Sequence, residues 1–96
     1  MPTLVVTMST DSNRVAEVSS HLQNDVTAWA KMQPGFVSGE WLISDHREAA
    51  MGVVLFDTVD AANRAAAGPR RFVHDADRAW NITAVTVYDP VASARH

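Results

Sequence analysis

The sequence contains no cysteine, which excludes disulfides, thiolate nucleophiles, zinc knuckles and iron–sulfur clusters together. It has no excess of positive charge: 8 Lys and Arg face 11 Asp and Glu, for a formal net charge of -3. A nucleic-acid backbone selects for a basic field, so nucleic acid is not an expected partner. Long apolar runs are missing. The longest, running from Ala49 through Gly52-Val53-Val54-Leu55-Phe56, falls far short of the roughly 20 residues a membrane span needs, and no membrane partner is expected. The N-terminus shows no basic region followed by an apolar stretch, so a cytoplasmic protein is expected, in which the sequon Asn81-Ile82-Thr83 has no chemical meaning. No Gly-rich loop ends in Gly-Lys, no dinucleotide fingerprint occurs, and Ser38 in Gly35-Phe36-Val37-Ser38-Gly39 lacks nucleophile-elbow spacing. Flavin, nicotinamide and ATP chemistry are unsupported, and no cofactor is expected.

What remains is 96 residues, 47% of them apolar and 20% charged, the composition of one packed globular domain spanning 1–96 with a tail from about residue 90. Leu4, Val6 and Met8 alternate with Thr3, Val5 and Thr7 in a first strand over 3–9. The cluster Thr10-Asp11-Ser12-Asn13 offers helix caps, and Val15, Val18, Leu22, Val26 and Trp29 then recur at steps of three and four, one stripe of an amphipathic helix. Pro34-Gly35 ends it. Strands over 36–44 and 50–57, joined by Asp45-His46-Arg47-Glu48, read as a hairpin. Asp57, Thr58 and Asp60 open an alanine-rich helix that Gly68-Pro69 interrupts, and 70–78 is ambiguous between a further helical turn and a loop. A last strand runs over 80–88. The order β-α-β-β-α-β predicts a ferredoxin-like α+β fold, an antiparallel sheet with both helices on one face.

Strict alternation leaves apolar residues on both faces of this sheet. Met51, Val53 and Leu55 oppose Val54 and Phe56; Trp41 and Ile43 oppose Phe36 and Leu42; Val85 and Val87 oppose Ile82 and Tyr88. Two helices bury one face only, so a second copy packed sheet to sheet is the expected cover, and a homodimer is expected. The alternative cover is the C-terminal tail or the 70–78 segment.

Pro34-Gly35-Phe36 running into Val37-Ser38-Gly39-Glu40-Trp41, followed by Gly52-Val53-Val54-Leu55-Phe56-Asp57 entering an alanine-rich helix, resembles the dimeric α+β-barrel superfamily. More narrowly it is similar to proteins related to antibiotic-biosynthesis monooxygenases, over nearly the whole chain to Tyr88. The resemblance implies a homodimer whose sheets close a barrel, with a pocket between sheet and helices. Members include cofactor-free oxygenases of polyaromatic hydroquinones and anthrones, haem-degrading enzymes, and proteins of no known activity. The cofactor-free oxygenases often carry an asparagine inside the third strand and a tryptophan at its end, where this chain has Gly52 and Phe56. The haem-degrading branch uses an asparagine on the first strand, where this chain offers Thr7 and Met8. Neither catalytic set transfers.

The chain's own candidates are therefore weighed by chemistry. His21 has Glu17 four residues before it and Asp25 four after, a spacing that could orient an imidazole as a general base or form ordinary flank pairs. A metal needs three or four ligands, His46 and His74 stand at no matching spacing, and no metal is expected. His74 could accept a proton beside a pocket, with Arg71 steadying a developing oxyanion. Glu40 is either a charge on an edge strand or, facing inward, a desolvated base. Trp41 and Trp80 could wall an aromatic-ligand pocket, Asn81 could bond a ligand carbonyl, and Phe56 completes the substrate-contact candidates. Trp29 reads as core, and His46 and His96 as solvent-exposed. Pro2, once Met1 is removed, could serve as the terminal base of a tautomerase.

The expected activity is cofactor-independent oxidation of an aromatic hydroquinone or anthrone, in which a deprotonated substrate reduces oxygen directly. The protein then supplies a base, a dry pocket and orientation. The competing reading is a non-catalytic dimeric protein that binds or senses a small ligand.

Overall fold

The capping cluster and the two apolar periodicities fold as their chemistry dictates. In the computed structural model, which describes residues 1–71 and 79–96, β1 (Thr3–Thr10) leads through a 3₁₀ turn, Ser12–Arg14, into α1 (Val15–Ser20), a π-helical turn (His21–Val26) and α2 (Thr27–Lys31). Then come β2 (Phe36–Ile43), β3 (Ala49–Phe56), α3 (Val59–Arg70) and β4 (Trp80–Tyr88). Asp11 accepts the Asn13 N–H at 2.9 Å and Thr58 accepts the Ala61 N–H at 3.1 Å, so each helical stretch begins on a side-chain cap. Gly35 turns the chain from helix to strand at φ 83°, and a Cβ there would meet Asp57 Oδ1 at 2.5 Å and Ala61 Cβ at 2.6 Å. No other residue type fits that corner.

The strands order β2-β3-β1-β4 with every pairing antiparallel. Each helical crossover skips one strand, which is the ferredoxin-like α+β arrangement with the helices on one face. The core forms between sheet and helices. Leu4, Val54 and Phe56 pack against Ala61, Ala62, Ala65 and Ala66, whose short side chains let α3 approach the sheet closely. Met8, Ala50 and Ala79 pack against Val18 and Leu22. Among the described residues, no helix is long and apolar enough to cross a membrane.

Three expectations need correction. The alanine-rich helix is not interrupted at Gly68-Pro69 but continues to Arg70. Pro69 sits in the last turn, and Gly68 leaves room for the Trp29 indole, 3.3 Å from where a Cβ would stand. The first helix is not uniformly α-helical, because of the turn at 21–26. Strict alternation also fails in two strands, each of which carries an extra residue. In β2, Phe36 pairs with Phe56 while Ser38 pairs with Leu55, so Val37 is bulged. In β4, Ala84 pairs with Thr7 while Ile82 pairs with Met8, so Thr83 is bulged. A bulge resets the two-residue period, and Phe36 joins Trp41 and Ile43 while Ile82 joins Val85 and Val87, all packed on the helix side. The outer face keeps Val5, Leu42, Met51, Val53, Leu55 and Tyr88, interleaved with threonines, and is less apolar than unbroken alternation predicts.

Candidate functional site

Between the sheet and the helices lies a cavity of about 260 Å³. Leu4, Val6, Met8 and Val54 form its floor, and Trp29, Trp41 and Trp80 its walls. Among the described residues its polar groups are few: His21, Asp25 and Asn81. An apolar cleft with a small number of convergent polar groups is the usual form of a small-molecule site.

The π-helical turn brings His21 and Asp25 to the cavity. The Thr27 N–H reaches back five residues to the Leu22 carbonyl, leaving the Gln23 carbonyl without the N–H an α-helix would give it. The Thr27 hydroxyl takes that carbonyl instead, at 2.6 Å. Such turns are frequent at functional sites because the widened helix re-aims its side chains. Here His21 Nδ1 lies 3.1 Å from Asp25 Oδ2, and the imidazole stacks on Trp80 with ring centroids 3.9 Å apart and planes 16° apart. With Nδ1–H donating to the carboxylate, Nε2 keeps its lone pair as a proton acceptor. The Asp25 side chain is 73% exposed, so the pair adds little stability, about 0.2–1 kcal/mol. Its role is orientation. Glu17, the other carboxylate at helical spacing, is taken by Arg14 at 2.6 Å. That hydrogen bond, and then the carboxylate's charge, push the Arg14 guanidinium up from its ordinary value.

Trp41 lies flat on the sheet because glycines make room for it. A Cβ on its cross-strand partner Gly52 would stand 2.9 Å from Nε1, and a Cβ on Gly39 would stand 2.7 Å from Cη2. The Oδ1 atom of Asn81 is buried and has no hydrogen-bond partner among the described residues. A buried acceptor left unmatched costs about 1–3 kcal/mol, the kind of deficit a bound donor removes.

No protein-family model matches the sequence, and no curated protein matches it, so the likeness to known proteins is one of structure. The cofactor-independent oxygenase SnoaB from Streptomyces nogalater superposes with a TM-score of 0.72 at 18% identity, covering 99% of this chain and 97% of that one. HapK from Hahella chejuensis gives 0.71 at 13%, covering 100% and 98%. The haem-degrader MhuD from Mycobacterium tuberculosis, solved with two haems in its active site, gives 0.69 at 17%, covering 99% and 100%. The chain has the antibiotic-biosynthesis-monooxygenase-like fold. At these identities the likeness carries the fold alone.

Within this monooxygenase-like fold, the structure brings together four of the residues singled out from sequence: His21, Trp41, Trp80 and Asn81. It does not bring the others to them. Glu40 is exposed and borders a groove against the edge strand β2, not the cavity. Phe56 is fully buried in the core, edge-on to Phe36 with centroids 6.5 Å apart. Arg71 is exposed just beyond α3, and Pro2, at the head of β1, does not line the cavity. His74 lies outside the described residues. Among the described residues, no three His, Asp or Glu side chains cluster to hold a metal. Trp29 packs against the core, as expected from sequence, and also walls the cavity, a role that sequence reasoning did not give it. Sequence reasoning also missed the seat of Trp41, for which Gly39 and Gly52 inside strands were the available signal, since such glycines mark close approach.

Proposed function

We propose that the protein is a cofactor-independent monooxygenase of a small aromatic hydroquinone or related phenol, working as a homodimer. The observation that carries this reading is the oriented imidazole of His21, held by Asp25 and Trp80 at the wall of an apolar, tryptophan-lined cavity. His21 Nε2 accepts the proton of a ring hydroxyl, and the electron-rich anion left behind transfers electrons to dioxygen. One oxygen atom bonds to a ring carbon whose C–H bond breaks, the O–O bond breaks, and the other oxygen leaves as water, carrying that carbon's hydrogen and the proton that His21 returns. The substrate supplies all four electrons, so the product is a quinone and no external reductant is needed. The tryptophan walls hold a flat ring and keep water out, which preserves the anion for oxygen. Asn81 Oδ1 accepts from a second ring hydroxyl and fixes the ring's orientation. The outer sheet face, with Val5, Val53 and Leu55 at its middle, supports pairing with a second copy across a twofold axis. The chain spans 97–100% of the length of SnoaB, HapK and MhuD, which supports reading 1–96 as one domain.

Oxygen uptake with a panel of hydroquinones and naphthols tests the reading. Uptake above the buffer rate is expected, falling by on the order of a hundredfold in His21→Ala. Wild-type uptake in His21→Ala would remove the base from the mechanism. Uptake at the buffer rate with every substrate would sink the enzymatic reading and leave the second one, a non-catalytic dimeric ligand-binding protein. Gly52 and Phe56 favour that second reading, since they stand where the resemblance places an asparagine and a tryptophan.

A further inference from the structure

Trp41 borders two spaces at once. Its pyrrole edge lies over Gly52, which lines the cavity, and its benzo edge lies over Gly39, which lines a groove of about 690 Å³ between β2 and the first helix. Among the described residues, the indole is the one large side chain shared by both linings. The cavity it borders is small. An apolar cavity of about 150 Å³ takes one benzene ring, and on that scale 260 Å³ matches two fused rings rather than three and falls far short of a porphyrin.

We infer that Trp41 is the specificity-determining partition of the site, restricting it to two-ring aromatic phenols of the naphthol type by walling the cavity off from the groove beside β2. This rests on the proposed aromatic-binding role of the cavity and narrows it to a ring number. Truncating the indole joins the two spaces without touching His21, Asp25 or Asn81, and the joined site accepts a third ring.

The test is binding, measured anaerobically by equilibrium dialysis so that no ligand is consumed, with 1-naphthol and the three-ring 9-anthrone. Wild type, Trp41→Ala and Trp41→Phe are compared after urea melts confirm that each is folded. Wild type is expected to prefer 1-naphthol by about tenfold or more, Trp41→Phe to lose part of that preference, and Trp41→Ala to reverse it. Equal affinity of wild type for the two ligands overturns the inference without any variant. Naphthol binding with the wild-type preference kept in both folded variants overturns it while leaving the aromatic site intact. If Trp41→Ala does not fold, an unchanged preference in Trp41→Phe decides against it. Binding of neither ligand by any of the three proteins overturns the aromatic reading itself, and this inference with it.

Discussion

Replacing Gly52 by alanine places a methyl group where the Trp41 indole now lies, 2.9 Å from Nε1 and 3.0 Å from Cδ1. Contacts this short force a shift of the indole, whose far edge lies over Gly39. Overpacking of this kind costs about 1–3 kcal/mol. Alanine in a strand returns about 0.5–1 kcal/mol relative to glycine through a less entropic unfolded chain. The net expectation for Gly52→Ala is a loss of about 1 kcal/mol, which lowers Tm by about 4–8 °C in a domain of this size. The decisive comparison is the same substitution in a Trp41→Ala background. With the indole gone the methyl group meets open space, the packing cost vanishes, and Gly52→Ala becomes neutral or stabilising by about 0.5 kcal/mol. Urea unfolding of the four proteins gives the coupling directly, expected at about 1–1.5 kcal/mol and within the range found for residues in contact. An equal cost of Gly52→Ala in both backgrounds would refute the argument that the indole is what position 52 must avoid.

Two further outcomes follow from the architecture. Thr58→Ala removes the cap on the Ala61 N–H and should cost about 1 kcal/mol in urea unfolding, with Thr58→Ser restoring most of it. Deleting Thr83, the bulged residue of β4, keeps Ile82, Val85 and Val87 on the helix side and loses chiefly its 3.1 Å hydrogen bond to the Thr7 carbonyl, about 1 kcal/mol. Deleting Thr86 turns at least one of those three apolar side chains outward, at about 1.5–3 kcal/mol for each. Equal tolerance of the two deletions in thermal melts would show that the bulge does not set the facing of β4.

Much of the fold was legible because its signals are local. Alternation in 3–9, the helical stripe from Val15 to Trp29, the caps at Asp11 and Thr58 and the turn at Pro34-Gly35 each involve residues a few positions apart, and each constrains the backbone where it stands. The order of these elements then fixed the topology, since connections that avoid crossings leave few arrangements. His21 and Asp25 were also readable together, four residues apart on one helix. Trp80 stacked on His21, or Trp41 seated on Gly52, was not, because these pairs are distant in sequence and meet only when β4 and β3 take their places. The two bulges escaped for a related reason. Whether an extra residue is bulged or read through depends on which partner strand it faces, and alternation alone assigned Phe36 and Ile82 to the wrong side. The sequence by itself determined the elements, their order and the chemistry available. Only the tertiary structure decided which side chains share the cavity, because facing and contact between distant residues are set by register, and register is a property of paired strands.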